Sequence, residues 1–166
     1  MKLYLQFVAA AESKNLDTVL QIIREHTELY DYDGDDGSLD VLRYDCPEHI
    51  EAAFQAGLSP DCGPKEPHET FLQHAAANDD EELVRLALRY GADIERRNNE
   101  WETALGYAAA WASHAVVQML VEAGADVNVV EGTKQDQYST ALDSAHKRPE
   151  TAGYLRQHGA KKWSEP

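Results

Sequence analysis

The chain has 166 residues, 43% of them hydrophobic, which is enough for one domain with a buried core and too apolar for a disordered chain. Fifteen basic residues face 30 acidic ones, and the formal net charge of -15 repels nucleic-acid phosphates and anionic membranes while favouring basic partners. With two cysteines, Cys46 and Cys62, and no stretch of membrane-spanning length, a disulfide scaffold and a membrane protein are both disfavoured and the expected location is the cytoplasm.

In chain order, "MKLYLQFVAAAES" imitates a secretory leader with one Lys, an apolar run and a small-residue triplet. The run is short and broken by Gln6, so it reads as an amphipathic helix that stays in the protein. Helices are predicted at Leu3 to Glu12 and Leu16 to His26. "DYDGDDGSLD" follows, with acids at Asp31, Asp33, Asp35, Asp36 and Asp40. A calcium loop fails on spacing: with Asp31, Asp33 and Asp35 as the first three ligands, Asp36 fills the glycine place and Leu42 the closing glutamate place. What remains is a solvated acidic loop or a contact surface. Residues 1 to 80 hold 17 acids and 5 bases, net -12, against 13 and 10, net -3, in residues 81 to 166, so the acidic field belongs to the N-terminal half.

A further helix is predicted from Pro47 to Ala56. Cys46, His49, Cys62 and His68 have zinc-ligand chemistry, but a helix of about 15 Å separates Cys46 from Cys62, so they are not expected to converge. No metal or other cofactor is expected. Nor does the chain carry a phosphate-cradling glycine motif or a nucleophile elbow, and the acids of "NDDEEL" complement a helix start, so no catalytic residues are assigned.

From His68 onward the chain repeats itself. "HETFLQHAAANDDEELVRLALRYGADIE" and "WETALGYAAAWASHAVVQMLVEAGADVN" align without a gap, with Thr70 and Thr103, Leu72 and Leu105, Gly91 and Gly124 each 33 residues apart. A third copy, "YSTALDSAHKRPETAGYLRQHGAKKW", puts Thr140, Leu142 and Ala145 in the same slots after an enlarged loop and shortens its own turn at "KRPET". Upstream, "FQAGLSPD" places Gly57 34 residues before Gly91. Each threonine is positioned to cap a first helix, the small pairs Ala75-Ala76 and Ala108-Ala109 allow close approach, and "LVRLALRYG" and "VVQMLVEAG" give second helices closed by glycine. Leu88 falls on the expected buried face and Tyr107 in the core. One such hairpin cannot bury its apolar face alone; a stack can.

"TFLQHAA", "TALGYAA", "TALDSAH", "YGAD" and "AGAD" resemble the Thr-Pro-Leu-His and Gly-Ala-Asp signatures of the ankyrin repeat family. The resemblance covers residues 65 to 160; the earlier part follows by helix pattern and register. Proline is replaced by Phe71, Ala104 and Ala141, and the histidine slot holds Gln73, Gly106 and Asp143. The family implies an all-α solenoid of about five helix-turn-helix units with projecting finger loops, and protein binding rather than catalysis. On this register the chain is one domain, with degenerate units at 1–30 and 31–64, well-formed units at 65–97 and 98–134, and a C-terminal capping unit at 135–166.

The same register puts Asp31, Asp33, Asp35 and Asp36 in a finger, and Glu66, Glu69, Glu100 and Glu102 in the fingers that follow. Trp101 occupies a finger slot where the family usually has glycine. Trp111 falls near the end of an inner helix on the contact face, and Tyr138 is a further finger candidate. These residues form the expected partner-binding set: charges that steer a basic protein and aromatic anchors that hold it, against the alternatives of solvated loops and packing between units. Small stand-alone ankyrin proteins of this kind look like those found in bacteria, where several serve as immunity proteins that block a toxin, and an acidic inhibitor suits a basic toxin domain. The alternative is an adaptor or assembly subunit that binds without inhibiting. The protein is expected to be a monomer on its own, with no nucleic-acid or membrane partner.

Overall fold

The computed structural model describes Ala9 and residues 15–25, 47–61, 69–132 and 138–164. Two layers of helices run along it. Helices α1 (Leu16–Glu25) and α2 (Pro47–Gln55) are followed by α3 (Phe71–Ala77) and α4 (Glu81–Arg89), then α5 (Ala104–Trp111) and α6 (His114–Glu122), and finally α7 (Ala141–Ser144), a 3-10 turn (Ala145–Lys147) and α8 (Pro149–Gln157). The short helices α3, α5 and α7 stack on one another in one layer, and α2, α4, α6 and α8 stack in the other. β-pairing among the described residues is confined to an isolated bridge between Glu131 and Ser139. The protein is an all-α stack of helical hairpins.

Local chemistry sets each boundary. Thr70, Thr103 and Ser113 adopt extended backbone and accept a hydrogen bond from the third helical N–H, and Asp80 caps α4 in the same way with Glu81 and Glu82 in its first turn. Pro149 opens α8, where a missing N–H costs nothing. Gly91, Gly124 and Gly159 follow the second-layer helices with φ of +84, +102 and +85, a region in which a side chain would strain the backbone.

Burial binds the hairpins into one core. Phe71, Leu72, Leu83, Val84, Leu105, Val116, Leu120, Leu142 and Leu155 are buried, and Phe54 meets Phe71 edge-on with ring centroids 5.3 Å apart. Alanines at 75, 76, 108, 109 and 145 are fully buried, which keeps the inner helices close. Leu88, expected on the buried face, is only partly buried, because α4 turns Leu83, Val84, Leu86 and Ala87 inward instead. Tyr107 is likewise partly buried against the core.

Polar ladders repeat along the stack. Asp61, Glu95 and Asn128 accept from the backbone N–H groups of Asp93, Asp126 and Lys161 at 2.6, 2.7 and 2.8 Å, each tying one hairpin to the next. Near the N-terminal end, Glu51 on α2 accepts from Arg89 at 3.0 Å. Among the described residues no helix is long and apolar enough to cross a membrane.

Candidate protein-binding surface

The finger before α5 is built around Asn98, which is buried. Its side-chain oxygen accepts from the N–H groups of Glu100 and Glu102, both at 2.9 Å, and its amide donates to the Tyr107 hydroxyl at 3.0 Å. Its carbonyl accepts from the Trp101 N–H at 3.0 Å. The turn so fixed puts Trp101 at its tip with φ +61, a left-handed conformation that costs a non-glycine residue about 1–2 kcal/mol. Trp101 is nevertheless 55% exposed. The Arg97 guanidinium lies 5.3 Å from its ring centroid, and Arg97 in turn donates to the Val130 carbonyl at 2.9 Å in the next finger.

The acids of this region divide by burial. Glu100 is exposed and Glu102 is half-buried. Glu69, expected on the finger edge, is only 7% exposed and cannot act as a surface charge there. It is packed beside His74, with its carboxylate 3.9 Å from the ring Nδ1. Burial pushes the His74 imidazole below its usual range despite Glu69 and Asp80, and burial together with the Glu69 and Glu102 carboxylates pushes the Tyr107 phenol up.

Trp111, the last residue of α5, is 70% exposed. Packing against a neighbouring hairpin does not account for it. After it, Ala112 stays extended at φ -85 and ψ 173, whereas Asp79, its counterpart 33 residues earlier, takes φ +59. The carbonyls at the end of α5 are met by Arg148, which reaches in from the shortened hairpin. Its Nε donates to Ala110 at 3.1 Å, its Nη2 to Trp111 at 2.7 Å and its Nη1 to Ala112. A guanidinium there also complements the negative end of the helix dipole.

Tyr138 stands two residues before its capping threonine, the slot Trp101 holds in the preceding finger, and is 48% exposed. Its ring is tilted against that of Trp163 at a centroid distance of 5.2 Å. The Trp163 N–H donates to the Asp143 carboxylate at 2.9 Å, and the N–H of Thr140 donates to the same carboxylate at 3.0 Å. Although burial works to raise it, these bonds hold the Asp143 carboxyl below its usual range.

A family model for ankyrin repeats (3 copies) matches residues 7–131. The chain belongs to the ankyrin repeat family. A search of curated proteins finds no match. Its repeats make the chain a protein-binding module, in a family that generally works through contacts rather than catalysis. Helices α7 and α8 lie beyond the matched residues yet continue both layers of the ankyrin stack.

Of the residues expected to bind a partner, Glu100, Trp101, Trp111 and Tyr138 are exposed, Glu102 is partly covered and Glu69 is buried. Asp31, Asp33, Asp35, Asp36 and Glu66 lie outside the described residues, as do Cys46, Cys62 and His68. Among the described residues no three His, Cys, Asp or Glu side chains are grouped to hold a metal ion. Trp163 was not singled out from sequence, although a tryptophan after "AKK" in the last polar stretch was a visible signal. Arg148 and Glu131 gave none, because their partners are 37 and 28 residues away.

Proposed function

We propose that this ankyrin repeat protein binds and neutralises a basic protein, as an immunity protein does against a bacterial toxin, and that the whole chain acts as one five-unit domain in the cytoplasm. What supports this reading is the combination of a -15 net charge with exposed aromatic side chains at the finger slots and at the end of α5. Charge steers the encounter and sets its salt dependence, while buried aromatic anchors set residence time. Exposed Trp101, Trp111 and Tyr138 are side chains of the kind enriched at binding hot spots.

The test is capture of partners from a lysate of the source cells, followed by binding kinetics at low and high salt. Changing Asp31, Asp33, Asp35 and Asp36 together to Asn is expected to slow association and flatten its salt dependence. Trp111→Ala is expected to speed dissociation, by roughly 2 kcal/mol or more for a central anchor. Co-expression of the intact protein should restore growth of cells producing the captured partner. An acidic partner, or kinetics unmoved by both variants, refutes the surface; tight binding without rescue of growth refutes neutralisation.

A further inference from the structure

Among the described residues, the third residue of the inner helices has a consistent job except in α5. In α3 it is Gln73, whose side-chain oxygen accepts from the Thr70 N–H at 2.8 Å and whose amide donates to the carbonyls of Arg96 and Glu102 in the next finger at 2.8 and 2.9 Å. In α7 it is Asp143, which accepts from Thr140 and from Trp163 beyond α8. That one side chain both closes the local helix cap and holds the segment that follows. In α5 the slot is Gly106, which has no side chain to offer.

Glu131 fills the vacancy from the opposite direction. It belongs to the following finger, is 4% exposed, and its Oε1 accepts from the Thr103 N–H at 2.8 Å and the Thr103 hydroxyl at 2.6 Å. A Cβ at Gly106 would overlap this carboxylate, far inside the 3.0 Å that real Cβ atoms respect, so the glycine is the cradle for the glutamate. Glu131 also exchanges backbone bonds with Ser139: its N–H donates to the Ser139 carbonyl at 2.9 Å, and the Ser139 N–H donates back at 3.2 Å. Ser139 adjoins Tyr138. A single residue therefore links the start of α5, through its side chain, to the far side of the enlarged finger, through its backbone.

We propose that Glu131 is a positioning residue for the binding edge, locking the finger that carries Tyr138 onto the start of α5. The assignment to the binding edge rests on Tyr138 being a contact residue, as the proposed function has it. Among the described hairpins the lock is a division of labour found at this one: the cap of α5 is supplied by the segment it positions, so cap and finger are coupled, whereas at α3 the cap residue belongs to the helix itself. Glu102 and Arg97 are the charged groups that act on the carboxylate from the preceding finger.

Hydrogen exchange on the intact protein tests the lock without any partner, so its failure is separate from failure of the binding reading. In Glu131→Ala, exchange of the Thr103 and Ser139 amides should accelerate at least about tenfold, beyond any change at the core amides of Val117 and Leu120. Glu131→Gln, which keeps an acceptor oxygen, should stay within about threefold of the unaltered protein. The deciding variant is G106Q/E131A, which rebuilds at Thr103 the local cap seen at Thr70 and Gln73. It should restore protection at Thr103 and leave Ser139 fast. Recovery of both amides would show that Glu131 is only a helix cap, and an unaltered Ser139 in Glu131→Ala would show that it does not position the finger; either result overturns the proposal.

Discussion

Gly106→Ala is the substitution for which general rules and this structure give opposite signs. Gly106 sits inside α5, and no positive φ requires glycine there. Replacing a helix-interior glycine by alanine ordinarily stabilises by about 0.5–1 kcal/mol, since it removes backbone freedom from the unfolded chain. Here the new methyl would occupy the space of the Glu131 carboxylate. A carboxylate at the end of a side chain can move aside, so the steric part is relieved cheaply. Its departure, however, removes two charge-assisted bonds from Thr103, which is itself buried. Hydrogen bonds to charged groups contribute about 1.5–3 kcal/mol, and a buried donor left unpaired costs about 1–3 kcal/mol. Release of the carboxylate into water offsets part of this, because burial holds its pKa above the usual range. The expected net change is a destabilisation of about 1–3 kcal/mol in urea unfolding followed by circular dichroism, with no change in the m-value. A variant as stable as the unaltered protein, or more so, would show that the cradle is not tight and would refute the coupling between Gly106 and Glu131.

Leu120→Ala removes a fully buried side chain and is expected to cost about 2–5 kcal/mol by denaturant unfolding, with Leu88→Ala costing less because Leu88 is only partly buried; equal losses would contradict the assigned faces. Trp101→Gly relieves a strained φ of +61 worth about 1–2 kcal/mol but restores glycine's freedom to the unfolded chain, so stability should hold within about 1 kcal/mol while partner dissociation speeds up. A larger loss of stability would mean that the indole is a structural element. For pH, the raised Glu131 carboxyl binds its proton more tightly folded than unfolded, so its contribution is greatest below the usual value of 4.5 and is lost as pH rises through the raised value. Glu131→Gln should therefore gain stability relative to the unaltered protein across that rise. Asp143 has the opposite sign, contributing above its usual value of 3.8 and losing that contribution as pH falls through its lowered one, so Asp143→Asn should flatten the acid limb of the same titration. Parallel curves would count against the burial of the carboxylate in the case of Glu131 and against the bonds from Trp163 and Thr140 in the case of Asp143.

Periodicity carried most of the fold, because the signals that make a helical hairpin are local. Thr70 and Thr103 announce helix starts, Gly91, Gly124 and Gly159 announce helix ends, and the apolar spacing between them says that the hairpins stack. The slots of Trp101, Trp111 and Tyr138 were legible for the same reason, since a repeat register assigns each residue to a finger or a helix end without any knowledge of distant contacts. Burial of individual side chains was not legible. Glu69 shares its slot in the 33-residue register with Glu102, yet it is buried beside His74 while Glu102 is only half-buried. Leu88 shares the apolar period with Leu83 and is left at the edge by the roll of α4. The cross-hairpin bonds were the least visible of all. Gly106 read only as a departure from the family's histidine and Glu131 only as one acid among 30, because the bond between Thr103 and Glu131 spans 28 residues and exists only once α5 and the following finger are brought side by side. Short-range propensity depends on neighbours in sequence, whereas a buried carboxylate is held by whatever the folded chain places around it.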